Sequence, residues 1–401
     1  MPQLDFATRF ANWLATIEPC GESAVDPIDF AATFEVLTGN PPCPLQRLLY
    51  EQHFAKGHIP ASCKLPTGLG KTSVIAVWLI ALANGHAVPH RLVYALNCRS
   101  DVDQTTNEVE KYFDNLGMLG LSENLAQHVA RGQLAVNCEW SADPSRPAVI
   151  CGTVEMIGLR LLFSRCGFKS RALSAGFLGQ DALLVHDAGH LEPAFQKMIE
   201  AIRDEQEREG RSPNFRPLRV MELTAISHAG DAKSFTLTDD EMYKDVDECV
   251  NAKKVIHIHE SKDKAKLAED VAALALECGE RFPGSAILVF VCAVDDVSNV
   301  VEKLPPGSCE QWTGTLPAYD HDDCGKKLIL ERFLSKSTSD GKTVYLVCAS
   351  EVGVNISADH LVCDLSTFES MTQRFGHMNR FGDCKDTEIH VVCLNEADSE
   401  E

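Results

Sequence analysis

The sequence is short of basic residues, and it has no run of apolar residues long enough to cross a membrane. Its 401 residues include 37 Lys and Arg against 58 Asp and Glu, which gives a formal charge of −21. With no basic tail, any nucleic-acid contact has to come from a local groove rather than from the overall field. The longest apolar helix-like run, residues 74–83, is about half of a membrane span, and residues 1–10 lack the features of a signal peptide. These absences predict a cytoplasmic protein with no membrane contact.

No Cys-x-x-Cys pair occurs among the 16 cysteines, which excludes zinc-ribbon and thioredoxin-type sites. The cysteines are scattered singly, often within or beside apolar runs, as at Cys63, Cys151 and Cys348. We expect free, mostly buried thiols in a reducing compartment. The hydrophobic content of 45% and the charged content of 24% are typical of a globular protein, and the length suffices for two domains with full cores.

The most informative stretch is the run KLPTGLGKTS at residues 64–73. It follows a short, partly apolar run and precedes the helix-like residues 74–83, so the order is strand, glycine-rich loop and helix, as in a phosphate-binding loop. Gly68 and Gly70 carry no Cβ, which lets the backbone curl and direct its N–H groups at phosphate oxygens. The positive N-terminal end of the following helix favours the same anion.

The side chains of this loop suit a nucleoside triphosphate. Lys71 is placed to reach the β- and γ-phosphates and the Thr72 hydroxyl to hold Mg²⁺, while Thr67 lies within the loop itself. Leu65 stands where the general pattern has its first glycine. An ordinary glycine turn is the alternative, and the strand–loop–helix context favours binding of a nucleoside triphosphate with Mg²⁺.

Short, continuous apolar runs alternate with helix-like segments along both halves of the chain. Such runs are typical of parallel strands buried on both faces of a sheet. The polar motifs follow the strands directly, at the carboxyl ends where such sheets bind ligands. We therefore predict an α/β fold with doubly wound parallel sheets. The predicted strands are residues 91–96, 148–151, 182–185 and 219–223, then 255–258, 286–291, 344–347, 360–364 and 389–394.

Composition and pattern divide the chain into four predicted segments. An acidic stretch at residues 239–247 interrupts the alternation and indicates a linker, and the half that follows has no phosphate-binding loop of its own. The predicted segments are a helical N-terminal cap (1–40, with helices around 6–17 and 28–37), a first α/β domain (41–235), the linker (236–252) and a second α/β domain (253–401). Further helices are predicted at residues 44–55, 105–112, 264–277 and 294–303.

Four further strings carry a resemblance to a known family. They are GFLGQD (176–181) leading into HLEPAF (190–195), ELTA (222–225), EVGVN (351–355) and QRFG (373–376). With the phosphate loop, they resemble superfamily 2 helicases, and more narrowly the helicase core of the CRISPR-associated helicase–nucleases of type I systems, in the type I-U (I-G) variety. The resemblance spans residues 30–394. It implies two tandem RecA-like domains and ATP-driven 3′-to-5′ translocation on single-stranded DNA, after an RNA-guided surveillance complex has opened the target.

The resemblance also implies roles for individual residues. Gln46 would hydrogen-bond adenine, Asp187 would bind Mg²⁺ together with Thr72, and Arg380 would neutralise the γ-phosphate in the transition state. Arg374 would bridge the two domains. The candidates for coupling the ATP state to DNA, or for contacting DNA, are His190, Thr224, Ser227, Thr153 and Thr315. For Thr224, the alternative is a strand-ending residue that caps the next turn.

Several positions depart from the family pattern. Ala188 stands where a glutamate is expected to deprotonate the attacking water, and losing such a base costs about 10²–10⁴ in rate. His377 stands at the first arginine-finger position; a finger is worth about 10³–10⁵ in turnover, and histidine is a poor substitute. Ile226 replaces the second hydroxyl of the coupling motif. Cys98 and Cys292 replace arginines in loops expected to face DNA; the alternative for both is a small, buried residue at a strand end.

These departures leave two functions open. The first is an ATP-dependent single-stranded DNA translocase of type I CRISPR interference, an antiviral defence, recruited by the surveillance complex. The second is a catalytically degenerate relative that binds ATP and DNA with little or no hydrolysis. The order of the motifs disfavours an unrelated phosphate-loop ATPase. By the resemblance, residues 187–190 occupy the position of the Asp-Glu-Ala-His box of helicases, here called the helicase box, so His186-Asp187 is not an HD nuclease metal site. No nuclease domain is predicted in this sequence, and a nuclease acting in trans is one candidate partner.

Overall fold

The computed structural model divides the chain into two compact units, Met1–Asp245 and Val246–Glu401, each described here by itself. No helix in the described ranges is both long enough and apolar enough to cross a membrane. The structure describes residues 29–64, 70–97, 99–117, 129–130, 147–164, 171–187, 192–210, 215–224, 234–235, 253–261, 263, 266–312, 329, 331–333, 341–349, 356–380, 382, 384 and 386–394.

The first unit is a parallel sheet of seven strands with helices on both faces. Its strands lie in the order β3-β4-β2-β5-β6-β1-β7, and every pair is parallel. Its helices are α1 (Phe30–Thr38), α2 (Pro44–Gln52), α3 (Val74–Ala83), α4 (Arg99–Gly117), α5 (Val154–Leu161), α6 (Arg171–Gly179) and α7 (Pro193–Glu209). Its strands are β1 (Ser62–Lys64), β2 (Arg91–Leu96), β3 (Val129–Ala130), β4 (Ala148–Thr153), β5 (Ala182–Asp187), β6 (Arg219–Thr224) and β7 (Ser234–Phe235).

Strand β2 explains why the central strands are continuous apolar runs. Leu92 and Tyr94 face the core that includes α3, whereas Val93 and Ala95 face the core that includes Phe195 of α7. Because successive side chains point to opposite faces, a strand buried on both sides has no polar alternation. Helix α3 is apolar on all sides and is buried along nearly its whole length. The predicted strands at 91–96, 148–151, 182–185 and 219–223 are therefore confirmed.

Local capping moves several helix boundaries away from those predicted. The carboxylate of Asp29 accepts a hydrogen bond from the N–H of Ala32 (2.8 Å), so α1 begins at Phe30. Helix α2 begins at Pro44, as predicted, because proline suits the first turn of a helix, and it ends at Gln52, before the predicted end at Ala55. The predicted helix at 105–112 is longer on both sides in α4. The predicted helix around residues 6–17 and the linker at 236–252 lie outside the described residues.

The second unit is a parallel sheet of six strands in the order β10-β11-β9-β12-β13-β8. The predicted strands and helices are present with shifts at their ends, whereas β10, a short edge strand with the polar sequence CEQW, was not predicted. Its helices are α8 (Leu267–Arg281), α9 (Val294–Val301) and α10 (Phe368–Gly376). Its strands are β8 (Lys254–Ser261), β9 (Ala286–Phe290), β10 (Cys309–Trp312), β11 (Val344–Cys348), β12 (His360–Asp364) and β13 (Thr387–Leu394).

The core of the second unit also lies on both faces of its sheet. Ile287 and Val289 of β9 pack with α8 and α9, and Leu288 and Phe290 pack on the opposite face with Met371 of α10. Both units therefore place the carboxyl ends of their parallel strands at one edge, which is where sheets of this kind bind ligands.

Candidate functional site

The predicted site residues of the first unit lie at the carboxyl edge of its sheet. Strand β1 ends at Lys64, which is paired in register with Thr224 at the end of β6. Asp187 ends β5, the neighbour of β6, and is paired with Leu223. Because the three strands are parallel and adjacent, the phosphate loop, the aspartate and Thr224 leave the sheet on the same side.

Gly70 starts the helical turn that leads from the loop into α3. It has a left-handed backbone (φ 69°) and is followed by a 3₁₀ turn at Lys71–Ser73. The Ser73 hydroxyl and N–H donate to the Gly70 carbonyl oxygen (2.6 and 3.0 Å). A Cβ added to Gly70 would stand only 3.2 Å from Nε2 of Gln46. The left-handed backbone therefore favours glycine here, and a Cβ would also require the Gln46 amide to shift slightly.

Gln46 lies against this turn. Its Oε1 accepts from the N–H of Cys43 (2.9 Å), which caps α2, and its Nε2 donates to Oγ of Ser73 (2.7 Å). The side chain is buried. The amide thus connects the start of α2 to the end of the phosphate loop, and its predicted contact with adenine stays a prediction. Thr67 and Gly68 lie outside the described residues.

Tyr94 connects the two residues that were predicted to hold Mg²⁺. Its hydroxyl donates to Oδ2 of Asp187 (2.9 Å), and the Thr72 hydroxyl lies beside the same phenol. Burial raises the pKa of Tyr94 well above its usual value, and the neighbouring Asp187 carboxylate raises that pKa further. The phenol therefore stays protonated and serves as a donor to the carboxylate.

Sequence reasoning missed Tyr94, although the register contains a signal for it. Strand β2 pairs Tyr94 with Val185, two residues before Asp187. Side chains two residues apart on a strand share a face, so Tyr94 and Asp187 point to the same side of the sheet. A tyrosine within an otherwise apolar central strand indicates a polar partner for its hydroxyl.

The donor set of this cluster fits a magnesium ion bound with phosphates. Asp187 supplies a half-buried carboxylate and Thr72 a hydroxyl, both oxygen donors, and both contact the same phenol. Mg²⁺ prefers oxygen ligands and usually keeps several waters, so that one or two protein groups plus substrate phosphates suffice. Within the described ranges, no cluster of three or more His, Cys, Asp or Glu is arranged to hold a metal.

His186 and Asp187 point to opposite faces of β5. Nδ1 of His186 donates to Oε1 of Gln196 (2.8 Å), and the imidazole packs edge-on against Phe195. Burial lowers the pKa of His186, so this fully buried ring is neutral. Because the two side chains diverge, the dipeptide does not present both groups to one metal ion.

Of the residues predicted to couple or contact DNA, the structure describes Thr153 and Thr224. Oγ1 of Thr153 accepts from the N–H of Met156 (3.3 Å) and caps α5. Thr224 is buried at the end of β6. Their functional roles stay predictions. The other positions in question lie outside the described residues: Ala188, His190, Ile226, Ser227 and Thr315, as well as Cys98.

In the second unit, Arg374 is buried in an ion pair. Its Nη1 donates to Oδ1 and to the carbonyl oxygen of Asp364 (3.1 and 2.9 Å), and the guanidinium lies over the ring of Phe290, 4.9 Å from its centroid. Only 2% of the Arg374 side chain and 6% of the Asp364 side chain are exposed. These contacts fix α10 to the ends of β9 and β12, and the predicted domain-bridging role of Arg374 stays a prediction.

Cys292 extends this cluster and corrects one expectation. Its N–H donates to Oδ2 of Asp364 (2.6 Å), and its thiol lies 3.2 Å from Oδ1. Cys292 is exposed, so the interpretation as a small buried residue is wrong for this position. The reason is that β9 ends at Phe290, and only Val291 of the residues that follow it directly is buried.

Arg380 and His377 lie on the turn after α10 rather than on the helix. His377 follows the last helical residue, Gly376, and its carbonyl oxygen accepts from the N–H of Ala358 (2.9 Å). The N–H of Arg380 donates to Oγ of Ser357 (3.0 Å), and the residue is half-buried. The backbone position of this turn is thus well defined, and the contact of Arg380 with a γ-phosphate stays a prediction.

Comparison with known proteins identifies the fold. No protein-family model and no curated protein sequence matches the chain. Solved structures do match, among them Mycobacterium smegmatis helicase Lhr bound to ssDNA and AMP-PNP (TM-score 0.56, 14% identity, 92% of this chain and 48% of Lhr). S. cerevisiae Dbp5 bound to RNA and ADP BeF3 has a TM-score of 0.55 and 15% identity over 90% of this chain and 86% of Dbp5. A CRISPR-associated protein has a TM-score of 0.59 and 14% identity over 96% of this chain and 48% of its own.

At these identities the similarity establishes the fold alone. The two units are tandem RecA-like α/β domains with the fold of these helicase structures, as the sequence predicts. The chain spans about half the length of Lhr and of the CRISPR-associated protein.

Proposed function

We propose that the protein binds ATP with Mg²⁺ and acts as a single-stranded DNA translocase in type I CRISPR interference. One observation carries the proposal above all others: the turn with Lys71 and Thr72 follows a strand that ends at the same edge of the sheet as Asp187, and Tyr94 donates to Asp187 and lies beside Thr72. A phosphate loop and a strand-end aspartate at one edge of a parallel sheet are the parts that hold a nucleotide and its metal in phosphate-loop NTPases.

Each residue has a separate task in this proposal. Lys71 binds the terminal phosphates as a point charge, and Gln46 fixes the adenine end while supporting the loop through Ser73. Thr72 and Asp187 hold the metal, which when bound would neutralise charge on the β- and γ-phosphate oxygens. Arg380 supplies positive charge from the second domain.

The choice of DNA and of partners rests on the resemblance and on the solved structures. Lhr was solved with ssDNA and Dbp5 with RNA, and one similar structure is a CRISPR-associated protein. The strings at 176–181, 190–195, 222–225 and 351–355 favour the CRISPR helicase. We further propose a cytoplasmic protein that is recruited by a type I surveillance complex and that works with a nuclease acting in trans.

A second function is favoured by Ala188 and His377. In this version the protein binds ATP and DNA but hydrolyses ATP slowly or not at all, and serves as a nucleotide-gated clamp. Together the missing general base and the missing arginine finger remove two of the groups that accelerate phosphoryl transfer. Glu192 is exposed at the start of α7, five positions after Asp187, and we do not expect it to replace the base.

Nucleotide binding and hydrolysis are tested separately on the full chain. Fluorescent AMP-PNP with Mg²⁺ measures binding; we expect binding by the wild type and its loss in Lys71→Ala. Arg91→Lys, a change in a buried arginine at the opposite edge of the sheet, serves as a control for folding. A wild type that binds no nucleotide overturns both functions.

ATP hydrolysis is then measured with single-stranded DNA and with single-stranded RNA of the same sequence. Stimulation by DNA alone supports the DNA translocase, and stimulation by RNA alone contradicts it. If hydrolysis is very slow, Ala188→Glu combined with His377→Arg is expected to raise turnover by at least about 10². A wild-type rate of about 1–10³ s⁻¹, which is usual for enzymes, contradicts the clamp.

A further inference from the structure

We propose that Tyr94 is a positioning residue for the metal that accompanies the nucleotide: its hydroxyl sets the relative orientation of the Asp187 carboxylate and the Thr72 hydroxyl. This inference rests on the proposed function, since it concerns the metal side of the same site. Neither the phosphate-loop pattern nor the helicase box contains a tyrosine at this place in β2.

The geometry behind the proposal joins three separate elements. Thr72 lies in the 3₁₀ turn after the loop, Asp187 at the end of β5, and Tyr94 on β2, the strand next to β5. The phenol donates to Oδ2 of Asp187 (2.9 Å), and the Thr72 hydroxyl lies beside the same phenol. One oxygen atom is thus a common partner of both predicted metal ligands.

The Tyr94 hydroxyl is buried, so it needs hydrogen-bond partners within the protein. Tyr94 has no exposed surface, and its ring lies in the core among apolar side chains. A buried hydroxyl needs partners, because an unpaired one loses its bonds to water without replacement. Phenylalanine would fill the same volume in β2 without that requirement. The tyrosine is therefore explained by its two partners, Asp187 and Thr72, rather than by packing.

The same arrangement excludes a different role for Tyr94. Its hydroxyl hydrogen is donated to the Asp187 carboxylate, so Tyr94 does not act as the general base that Ala188 fails to supply. What it can do is donate one hydrogen bond to the carboxylate.

Hydrogen-bond donors behind a metal ligand restrict how the ligand rotates and thereby fix the direction of its lone pairs. Removing such a donor typically lowers metal affinity by about 10–100-fold. In the Tyr94→Phe variant, Asp187 and Thr72 lose their common partner while the ring and the core stay filled. We expect weaker binding of the divalent cation and unchanged binding of nucleotide in the absence of metal.

The test uses the full chain, AMP-PNP as the nucleotide and Mn²⁺ as the spectroscopic probe for the metal site. Mn²⁺ affinity in the AMP-PNP complex is measured by electron paramagnetic resonance, and AMP-PNP affinity is measured in EDTA. Tyr50→Phe is the matched control, because Tyr50 is a buried tyrosine of the same unit whose hydroxyl accepts from Asn84 (2.7 Å), away from the metal ligands.

The expected result is a loss of Mn²⁺ affinity by about 10-fold or more in Tyr94→Phe, with no such loss in Tyr50→Phe. The double variant Tyr94→Phe/Asp187→Asn is expected to bind Mn²⁺ as tightly as Asp187→Asn alone, because both changes act on one ligand. A structural defect would instead lower AMP-PNP affinity in EDTA as well.

These measurements distinguish a failure of the positioning role of Tyr94 from a failure of the proposed function. If the wild type binds AMP-PNP but Tyr94→Phe binds Mn²⁺ as tightly as the wild type, Tyr94 is not a positioning residue and the proposed function stands. The inference is also overturned if the losses in Tyr94→Phe and Asp187→Asn are additive, or if AMP-PNP affinity in EDTA falls in parallel. A wild type that binds no AMP-PNP in either condition overturns the proposed function and the inference together.

Discussion

Each unit has an aspartate at the carboxyl end of a central strand, and the two aspartates have partners of different charge. Asp187 ends β5 and accepts from the neutral phenol of Tyr94 (2.9 Å). Asp364 ends β12 and is paired with the cationic Arg374 (3.1 Å), while its second oxygen accepts a backbone N–H. The neutral phenol adds no positive charge beside Asp187, whereas the guanidinium neutralises Asp364 and would repel a cation.

The comparison teaches that a strand-end aspartate is not by itself a metal ligand. Both positions are equivalent in topology, since each strand lies between two parallel neighbours. The charge of the partner separates a carboxylate available for Mg²⁺ from one that holds a helix in place. The predictions below test this separation, beginning with the largest expected effect.

Removing the cation from the Asp364 pair is expected to destabilise the second unit. Arg374→Met keeps an apolar side chain near Phe290 but leaves the buried Asp364 carboxylate without its charged partner. Losing one partner of a buried ion pair costs about 3–5 kcal/mol of folding free energy. Urea unfolding, followed by hydrogen exchange of peptides from β9 and β12, measures the loss in this unit.

The control for this variant is Lys303→Ala, which removes an exposed ion pair with Glu269 on the same unit. Exposed pairs contribute little because water and salt screen them, so we expect no measurable change. An Arg374→Met variant as stable as Lys303→Ala would contradict the structural role assigned to Arg374.

Acidification is expected to weaken the second unit through His360. Nδ1 of this buried histidine accepts from the N–H of Glu388 (3.2 Å), which only the neutral ring can do, and burial lowers its pKa from 6.5 to about 4. Because the folded pKa lies below the unfolded one, the stabilisation is complete above pH 6.5 and is lost as the pH falls towards 4. The loss reaches at most about 3 kcal/mol. Unfolding in urea at a series of pH values measures it.

His360→Asn is the control for the expected loss of stability at acid pH. The side-chain oxygen of asparagine can still accept from Glu388, but it does not titrate in this range. The variant is expected to show a flatter dependence of stability on pH between 6.5 and 4. The remaining pH dependence is expected from His390. Its pKa is also lowered, first by burial and then by the neighbouring His259 and His257. An identical pH dependence in wild type and variant would contradict the role of His360.

Much of the fold could be predicted because its central strands are buried on both faces. Strands such as β5 and β9 are continuous apolar runs, and that pattern is readable without tertiary information. The edge strand β10 (CEQW) was not predicted, since an edge strand needs no such pattern and its register is set by β11 alone.

The residues of the candidate site that are adjacent in sequence could be predicted, whereas contacts between residues far apart in sequence could not. Lys71, Thr72 and Gly70 are adjacent in sequence, so their spacing indicates the loop directly. The partnership of Tyr94 with Asp187 depends on β2 lying next to β5, and the two residues are 93 positions apart in the sequence. Likewise the pattern at 373–376 indicates an arginine but not that Asp364 neutralises it.

The smallest expected effect gives the most direct comparison of the two carboxylates. Asp364→Asn weakens charge-assisted hydrogen bonds from Arg374 and is expected to cost about 1.5–3 kcal/mol. Asp187→Asn is expected to leave stability unchanged, because the amide oxygen still accepts from the neutral Tyr94 phenol. Asp187→Asn is expected to affect metal-dependent nucleotide binding instead, which is measured beside urea unfolding for both variants.

If the two substitutions destabilise the protein equally, the charge of the partner does not distinguish the sites. If only Asp187→Asn weakens Mn²⁺ binding with AMP-PNP while only Asp364→Asn weakens folding, the same residue type serves ligand binding in one domain and architecture in the other.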